Sequence, residues 1–163
     1  AGFKNASMDS IGLFDVVEHI ENDQEFMKQA NRYLKENGLI YITVPSFNFL
    51  WSNEDKDAGH YRRYTLRKMK KLLRQTGFEI KYATYFFSIL PLPIFIFRSI
   101  PSLLGMHKKS NELQKHKNEH KSDKGIFSSL LQRIWTSEIN NVKNSKKIRF
   151  GGSCFIVAEK VKL

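Results

Sequence analysis

The sequence contains no Gly-x-Gly pattern anywhere in its 163 residues. Glycine-rich turns of that kind let a backbone come close to a phosphate or carboxylate group, so no segment here has the pattern of a nucleotide-cofactor loop. Cysteine is almost absent as well, because Cys154 stands alone. A single cysteine excludes an internal disulfide, and a reducing, cytoplasmic setting fits it best.

The sequence also lacks an apolar run long enough to span a membrane, which takes about 20 residues. The nearest candidate, residues 85–104, is interrupted by Pro91, Pro93, Arg98 and Pro101. We expect this segment to form a lid, a subunit contact in a homodimer, or an interfacial segment in peripheral contact with a membrane. The last of these would make the protein membrane-associated.

Acidic residues are few. Lysine and arginine number 27 against 16 aspartates and glutamates, a net charge of +11. Such an excess favours anionic partners, either nucleic acid or an acidic membrane surface. Solvated helix faces are an alternative that the count leaves open. With 41% hydrophobic residues, the chain can bury the core of one domain.

The pattern of residues 10–45 predicts a strand, a helix and a second strand. An apolar run at 10–17 suits a buried strand. Asn22 and Glu25 then have the spacing of a capping box, and Gly38 is placed to end the helix. The second strand covers 39–44. Strand, helix and strand at this spacing form a βαβ unit, which makes the strands parallel.

A long polar and aromatic loop, 47–64, follows the second strand, and loops of that length in compact domains are usually functional or disordered. Thr65 is placed to cap a further helix that Gly77 closes. The remaining pattern predicts a strand at 78–87, a Lys-rich mobile loop at 107–124, an amphipathic helix at 125–142 and a final strand at 153–161. The fold class is therefore α/β.

Four motifs go further: FDVVEHIEND, YLKENGLIYITVPSFNFLW, GHYRRYT and LLRQTGFEI. In this order they resemble the second half of a class I S-adenosylmethionine-dependent methyltransferase of the type 11 or type 12 kind. The resemblance implies a Rossmann-like sheet with the strand order 3-2-1-4-5-7-6, of which this chain would supply strands four to seven. The cofactor's glycine-rich turn would belong to the missing half. Family members with a loop similar to GHYRRYT are often bacterial.

The resemblance divides the partial domain, 1–163, into three parts. Residues 1–90 would form a βαβαβ core. Residues 91–145 would hold the apolar segment, the basic loop and the amphipathic helix, as a lid or substrate region, and residues 146–163 the closing strand. Because the first strand would lose its neighbour, we expect an exposed apolar edge. We also expect this chain alone to bind the cofactor poorly and to be inactive.

Carried over by position, Phe14 and Asp15 would flank the sulfonium region of S-adenosylmethionine, and His19 would lie at the mouth of the acceptor pocket. Histidine titrates near neutral pH and is suited to remove a proton from an acceptor hydroxyl. His60 in GHYRRYT is a second catalytic candidate. Core packing for Phe14, and a carbonyl contact for His19, are the alternatives.

A metal site is a further implication of the resemblance. Asp15, Glu18 and His19 have spacing similar to the Glu-x-x-Glu-His motif of small-RNA 2′-O-methyltransferases and ubiquinone-pathway O-methyltransferases, which binds a divalent metal, and His60 would be the fourth ligand. The chain departs from the motif by carrying Asp for the first Glu. Relatives with Glu-His and no metal use the Glu as a helix cap, which is the alternative.

The residues predicted to bind the acceptor are Trp51, Tyr61, Arg62 and Arg63. Arginine forks match phosphate and carboxylate groups. The alternative is an ion pair of the two arginines with acidic residues of the same loop, namely Glu54, Asp55 or Asp57. The aromatic residues could equally form the loop's own small core.

The leading hypothesis is methyl transfer to the oxygen or nitrogen of a small or lipid-linked acceptor. The charge suggests RNA as a second acceptor, but we find no aromatic-basic RNA-binding module, which places nucleic acid behind a small molecule. A third hypothesis is a non-catalytic interaction or membrane-surface module. Since a fold does not fix a function, the acceptor rests partly on analogy.

Overall fold

The computed structural model describes residues 3–105 and 126–161. Its four strands are β1 (Met8–Phe14), β2 (Leu34–Pro45), β3 (Phe78–Phe86) and β4 (Ser153–Lys160). They form one sheet in the order β1-β2-β4-β3, with β1 parallel to β2 and β4 antiparallel to both of its neighbours. The α/β class is confirmed, and the order agrees with 4-5-7-6. The mobile loop predicted at 107–124 lies outside the described residues.

The described residues include six α-helices. These are α1 (Asp23–Tyr33), α2 (Asn53–Asp57), α3 (Leu66–Gln75), α4 (Pro91–Ile94), α5 (Ile100–Leu103) and α6 (Ile126–Lys143). Short 3₁₀ turns cover Val17–His19 and Asn48–Leu50, and a π-helical turn, Phe95–Ser99, joins α4 to α5. No described helix is long and apolar enough to cross a bilayer.

The predicted caps determine where the first long helices begin. Asn22 Oδ1 accepts a hydrogen bond of 3.2 Å from the Glu25 backbone N–H, and the Thr65 side chain accepts one of 3.2 Å from the Lys68 N–H. Each bond satisfies a donor that the first helical turn cannot pair internally. Gly77, with φ of +86°, follows α3 in a conformation that side chains other than glycine rarely adopt.

Several element boundaries differ from the sequence-based expectation, most of all the end of β1, the end of α1 and the start of β2, which is Leu34 and not residue 39. β1 ends at Phe14 and not at residue 17, because Asp15 takes a left-handed conformation with φ of +52° and the chain turns away from the sheet. The helix α1 ends at Tyr33, so Gly38 lies inside β2 and does not end the helix. A Cβ atom at Gly38 would come within 2.9 Å of the Lys35 carbonyl oxygen, which explains the glycine.

The core lies between one face of the sheet and the helices α1 and α3. Its central side chains are fully buried: Ile40, Ile42 and Val44 of β2, Cys154 and Ile156 of β4, Met27 of α1, and Met69 and Leu73 of α3. Alternation along β2 and β4 turns one apolar set toward these helices. The intervening residues face the other side of the sheet, where α6 lies.

Glu138 fixes the position of α6. Its buried carboxylate accepts hydrogen bonds from the backbone N–H groups of Phe87, at 2.7 Å, and Ser88, at 2.8 Å, directly after β3. Between α6 and the sheet lies a cavity of about 410 Å³, whose lining includes Thr43, Trp135 and Phe87. Its lining residues from the sheet, Thr43, Phe86 and Phe155, lie near the end of the sheet where the parallel strands terminate.

Within the described residues, no strand pairs with the outer edge of β1. Ile11 and Leu13 are half-buried there, and an apolar cleft of about 300 Å³ runs beside them past Phe26 and Tyr33. An unpaired edge with apolar neighbours can accept a further strand.

Candidate active site

The candidate site is built from the two segments that follow β1 and β2. These strands are parallel, so their carboxyl ends lie at the same edge of the sheet, where open α/β folds bind ligands. A bridge between Ser46 and Tyr64 closes the long loop onto the sheet, and the Tyr61 N–H donates to the Glu18 carbonyl at 2.8 Å. The two segments therefore meet at this edge.

Asp15 is held at the end of β1 by Thr43 of β2. The Asp15 N–H donates to the Thr43 carbonyl at 3.0 Å and to its hydroxyl at 3.1 Å. The Thr43 hydroxyl in turn donates to Asp15 Oδ1 at 3.2 Å. These contacts stabilise the left-handed backbone of Asp15 and leave its second carboxylate oxygen available at the strand end.

The 3₁₀ turn after β1 separates Glu18 from His19. Glu18 is 1% exposed, and its Oε2 atom has no hydrogen-bond partner, whereas the His19 side chain faces solvent. Burial raises the pKa of the Glu18 carboxyl, and the nearby charge of Asp15 adds to the shift. A buried carboxyl oxygen without a partner is costly and is a feature of sites that bind something.

Asp55 organises the long loop. Its carboxylate accepts hydrogen bonds from Arg63 Nε at 2.8 Å, Arg63 Nη2 at 3.0 Å and the Ser52 N–H at 2.8 Å. His60 Nδ1 lies 2.8 Å from Asp55 Oδ1. Asp55 and Arg63 are both buried, so a two-point ion pair forms the centre of this loop.

The contact with the Asp55 carboxylate determines which ring nitrogen of His60 carries the hydrogen. Burial would raise the pKa of the Asp55 carboxyl, but the hydrogen bonds from Arg63 and His60 outweigh burial and lower it. The carboxylate is therefore an acceptor, and His60 Nδ1 carries the hydrogen. In the neutral form of this tautomer, the lone pair of the ring is on Nε2.

Glu18, His19 and His60 come together into one group. One potential ligand atom from each lies within 4.8 Å of the others, and the two imidazole rings meet edge to face with centroids 4.6 Å apart. Of the four residues predicted to hold a metal, the structure brings together these three, whereas Asp15 lies outside the group and its Oδ1 accepts from Thr43. Binding of a metal by these residues stays a prediction.

The structure gives Arg63 a different role from the one predicted. Its guanidinium is buried against Asp55 and also donates to the Ser46 carbonyl at 3.3 Å, so it is not free to bind an acceptor. This ion pair is the alternative that the sequence left open. Arg62 pairs at 2.8 Å with Asp23, a residue of α1 and not of its own loop.

The other predicted acceptor-binding residues share a cleft. Trp51, Tyr61 and Arg62 line a small hollow of about 240 Å³ together with Asn48. Tyr61 is 53% exposed, and the Arg62 guanidinium lies 5.9 Å from the centre of its ring. The cleft combines aromatic surface with one cation, and binding of the acceptor there stays a prediction.

Phe14 does not pack in the core. Its side chain is 61% exposed, and its ring lies over Gly12, where a Cβ atom would come within 2.9 Å of it. An exposed aromatic ring at the end of a strand is available to a ligand. Its contact with the cofactor stays a prediction.

Sequence reasoning missed two residues that build the site. Asp55 appeared there only as an ion-pair alternative, although the Ser52-x-x-Asp55 spacing is that of a helix cap and could have marked its backbone role. Thr43 carried no signal, because a threonine is ordinary in a strand. Its contact with Asp15 spans 28 positions of the chain.

We predict that Asp55→Asn and Arg63→Met each lower the free energy of unfolding by about 3–5 kcal/mol, because each leaves a buried charge unpaired. The measurement is chemical denaturation at neutral pH. Lys35→Met, which breaks the exposed 2.7 Å pair with Asp9, is the control and should change little.

The pH dependence of the free energy of unfolding tests the same ion pair between Asp55 and Arg63. Despite burial, the hydrogen bonds from Arg63 and His60 hold the pKa of Asp55 in the folded state below the ordinary aspartate value of about 3.9, so its contribution to stability is present above that ordinary pKa and is lost as the pH falls through the lowered pKa. The difference between the wild type and Asp55→Asn should therefore shrink on acidification. A difference that grows instead would contradict the assignment.

Comparison with known proteins identifies the domain. The family model described as a methyltransferase domain matches residues 1–83. No curated protein matches the sequence. Similar solved structures include a possible histamine N-methyltransferase of Thermotoga maritima, with 13% identity and a TM-score of 0.55. Another is phosphoethanolamine N-methyltransferase 2 of Haemonchus contortus with bound S-adenosyl-L-methionine, with 19% identity and a TM-score of 0.50. A third is the [4+2]-cyclase SpnF, with 16% identity and a TM-score of 0.52.

The alignments cover 98%, 99% and 99% of this chain but only 59%, 35% and 52% of the three solved proteins. The chain thus spans between about a third and three fifths of their length. At these identities the likeness concerns the fold alone, whereas the family match extends over more than half of the sequence. The chain belongs to the methyltransferase domain family.

Proposed function

We propose that the protein is an S-adenosylmethionine-dependent methyltransferase acting on an oxygen or nitrogen atom of a small or lipid-linked acceptor. The observation that carries this proposal is the Glu18–His19–His60 group, beside Asp15, at the carboxyl edge of the parallel strands. When bound, S-adenosylmethionine supplies an electrophilic methyl group. Phe14 and Asp15 would flank it, and the histidines would face the acceptor.

The contacts of His60 support a role as general base. Asp55 orients the ring through Nδ1 and would stabilise the positive charge that His60 gains when Nε2 takes a proton from the acceptor. A carboxyl oxygen of Glu18 lies within 4.8 Å of a ring nitrogen of each histidine. Since methyl transfer needs the acceptor held in line with the methyl group, much of the rate would come from positioning by the surrounding cleft.

The cavity beneath α6 supports an acceptor with an apolar part. Its wall includes Phe86, Phe87 and Ile139, and the carboxylate of Glu138 is already occupied by backbone donors. Thr43 lines this cavity and also contacts Asp15. An apolar tail in the cavity would therefore extend from an acceptor head at the strand ends. RNA, the alternative acceptor, offers no such tail.

We predict that His60→Ala lowers kcat of the full-length protein by about 10²–10⁴-fold, the range for loss of a general base. His19→Ala should lower it less if His19 only shapes the pocket. The measurement is transfer of a radiolabelled methyl group. His60→Asn is the matched control, because its amide can replace Nδ1 as the donor to Asp55 but leaves no group at Nε2.

If the base role holds, His60→Asn keeps wild-type stability and loses activity as His60→Ala does. An unchanged rate in His60→Ala would remove His60 from the mechanism. Recovered activity in His60→Asn would show that the contact with Asp55, and not the base, is what matters.

We infer that tight cofactor binding needs a glycine-rich turn, which the 163 residues do not contain. The candidate site supplies Asp15 and Phe14 at one strand end only. Calorimetric titration of the isolated chain with S-adenosylmethionine should therefore show affinity weaker than micromolar, with S-adenosylhomocysteine titrated in parallel. Micromolar affinity for either ligand would contradict the inference.

A divalent cation is a second candidate ligand for the same group. Glu18 offers a buried oxygen without a partner, and His60 Nδ1 is occupied by Asp55, the kind of outer contact that orients a metal-binding imidazole. The residues therefore fit a cation held by Glu18, His19 and His60. Such an ion would lower the pKa of a bound hydroxyl.

We predict that Glu18→Gln weakens binding of Mn²⁺ or Zn²⁺ to the chain by about tenfold or more, because loss of an outer contact alone costs about 10–100-fold and Glu18 would be a direct ligand. Isothermal titration without cofactor or acceptor measures it. Glu21→Gln, at an exposed neighbouring position, is the control. Equal affinity in Glu18→Gln and the wild type would exclude the metal site.

A further inference from the structure

Residues 91–104 form a helical rod whose large apolar side chains face outward and not toward the domain. Helix α4, the π-helical turn and α5 follow one another without a break from Pro91 to Leu103, a length of about 20 Å at 1.5 Å per residue. A helix on a soluble domain normally turns its apolar stripe inward. Here the larger apolar side chains point away from the domain.

The outward stripe, which we call the apolar face, consists of Leu92, Ile96, Phe97, Ile100, Leu103 and Leu104. Phe97 is 75% exposed, Leu103 79% and Leu104 69%. These residues recur at helical spacing on one side of the rod. None of the six side chains carries a polar atom, and contiguous exposed apolar patches of this kind mark interaction sites.

The opposite side of the rod is attached to the candidate site. Arg98 Nη1 pairs at 2.7 Å with Glu54 Oε2 of α2, and the ring of Phe95 meets that of Phe49 edge to face at 5.9 Å. Ser99 is buried between the rod and the domain. Because Asp55 follows Glu54 in α2, the rod contacts the same helix that orients His60.

We propose that the apolar face inserts into the surface of an anionic lipid bilayer. The rod is too short to span, but it has the length and polarity of a helix that lies in the interface plane. Charge complementarity selects the lipid, because the chain carries +11 overall. In the sequence, residues 107–124 follow the apolar face with six lysines against three acidic residues, and each cation near an anionic surface adds attraction.

Docking by this face would hold the candidate site on the other side of the rod, about one helix diameter of 10–12 Å from the lipid surface. A lipid-linked acceptor could then present its head to His60 without leaving the bilayer. This consequence rests on the proposed function, whereas docking itself does not, since vesicle binding requires neither cofactor nor turnover.

The test is co-sedimentation of the 163-residue chain with vesicles of phosphatidylcholine alone or with phosphatidylglycerol. We expect binding to the anionic vesicles, weakened by salt. The Phe97→Ser/Leu103→Ser variant should lose affinity by about tenfold or more, because it removes two large apolar side chains from the inserted face. The matched control is Phe3→Ser/Val161→Ser, which changes side chains 67% and 43% exposed elsewhere on the domain.

A second measurement reports insertion directly. In a Trp51→Phe/Trp135→Phe background, which removes the two native tryptophans, the tryptophan placed by Phe97→Trp should be quenched by brominated lipids, whereas that placed by Phe3→Trp should not. Retained binding in Phe97→Ser/Leu103→Ser, or equal quenching at the two positions, would overturn the proposal. So would a wild type that ignores vesicles but forms a dimer that this variant dissociates, since the face would then be a protein interface.

Discussion

The buried pair between Asp55 and Arg63 is the interaction on which the candidate site depends. A carboxylate removed from water is stable only when its lone pairs are taken up, and here Arg63, Ser52 and His60 take them up together. The pair turns a long loop, which by itself would have many conformations, into a fixed wall of the site. It also decides which nitrogen of His60 faces the crevice. The same Asp55 carboxylate thus stabilises the loop through Arg63 and orients the His60 ring.

Two buried carboxyl groups in this region have opposite hydrogen bonding and opposite pKa shifts. Asp55 is fully partnered and its pKa is lowered, whereas Glu18 is buried with an oxygen that has no partner and its pKa is raised. The first contributes stability at neutral pH. The second costs stability as the pH rises through its raised pKa, because the folded state then loses a proton it holds more tightly than the unfolded state. The costly group is the one that faces both histidines.

The domain carries three kinds of surface: a polar group at the strand ends, an apolar cavity under α6 and the apolar face of the rod. A domain family and a fold do not fix a reaction, as the likeness to a cyclase illustrates. The proposed acceptor therefore rests on these surfaces and not on the fold. A polar head, an apolar tail and a lipid surface would match them.

The sequence by itself determined the α/β class, the capped helices and the strand order that the methyltransferase resemblance implies. Periodicity and capping are local properties that neighbouring residues specify. It also marked Glu18, His19 and His60. Only the tertiary structure decided that Arg63 is buried against Asp55, that Asp15 is held by Thr43, and that Leu92 and Phe97 face outward. Each of these depends on contacts between residues distant in the chain or on which side of a helix meets the domain, and no local pattern encodes either.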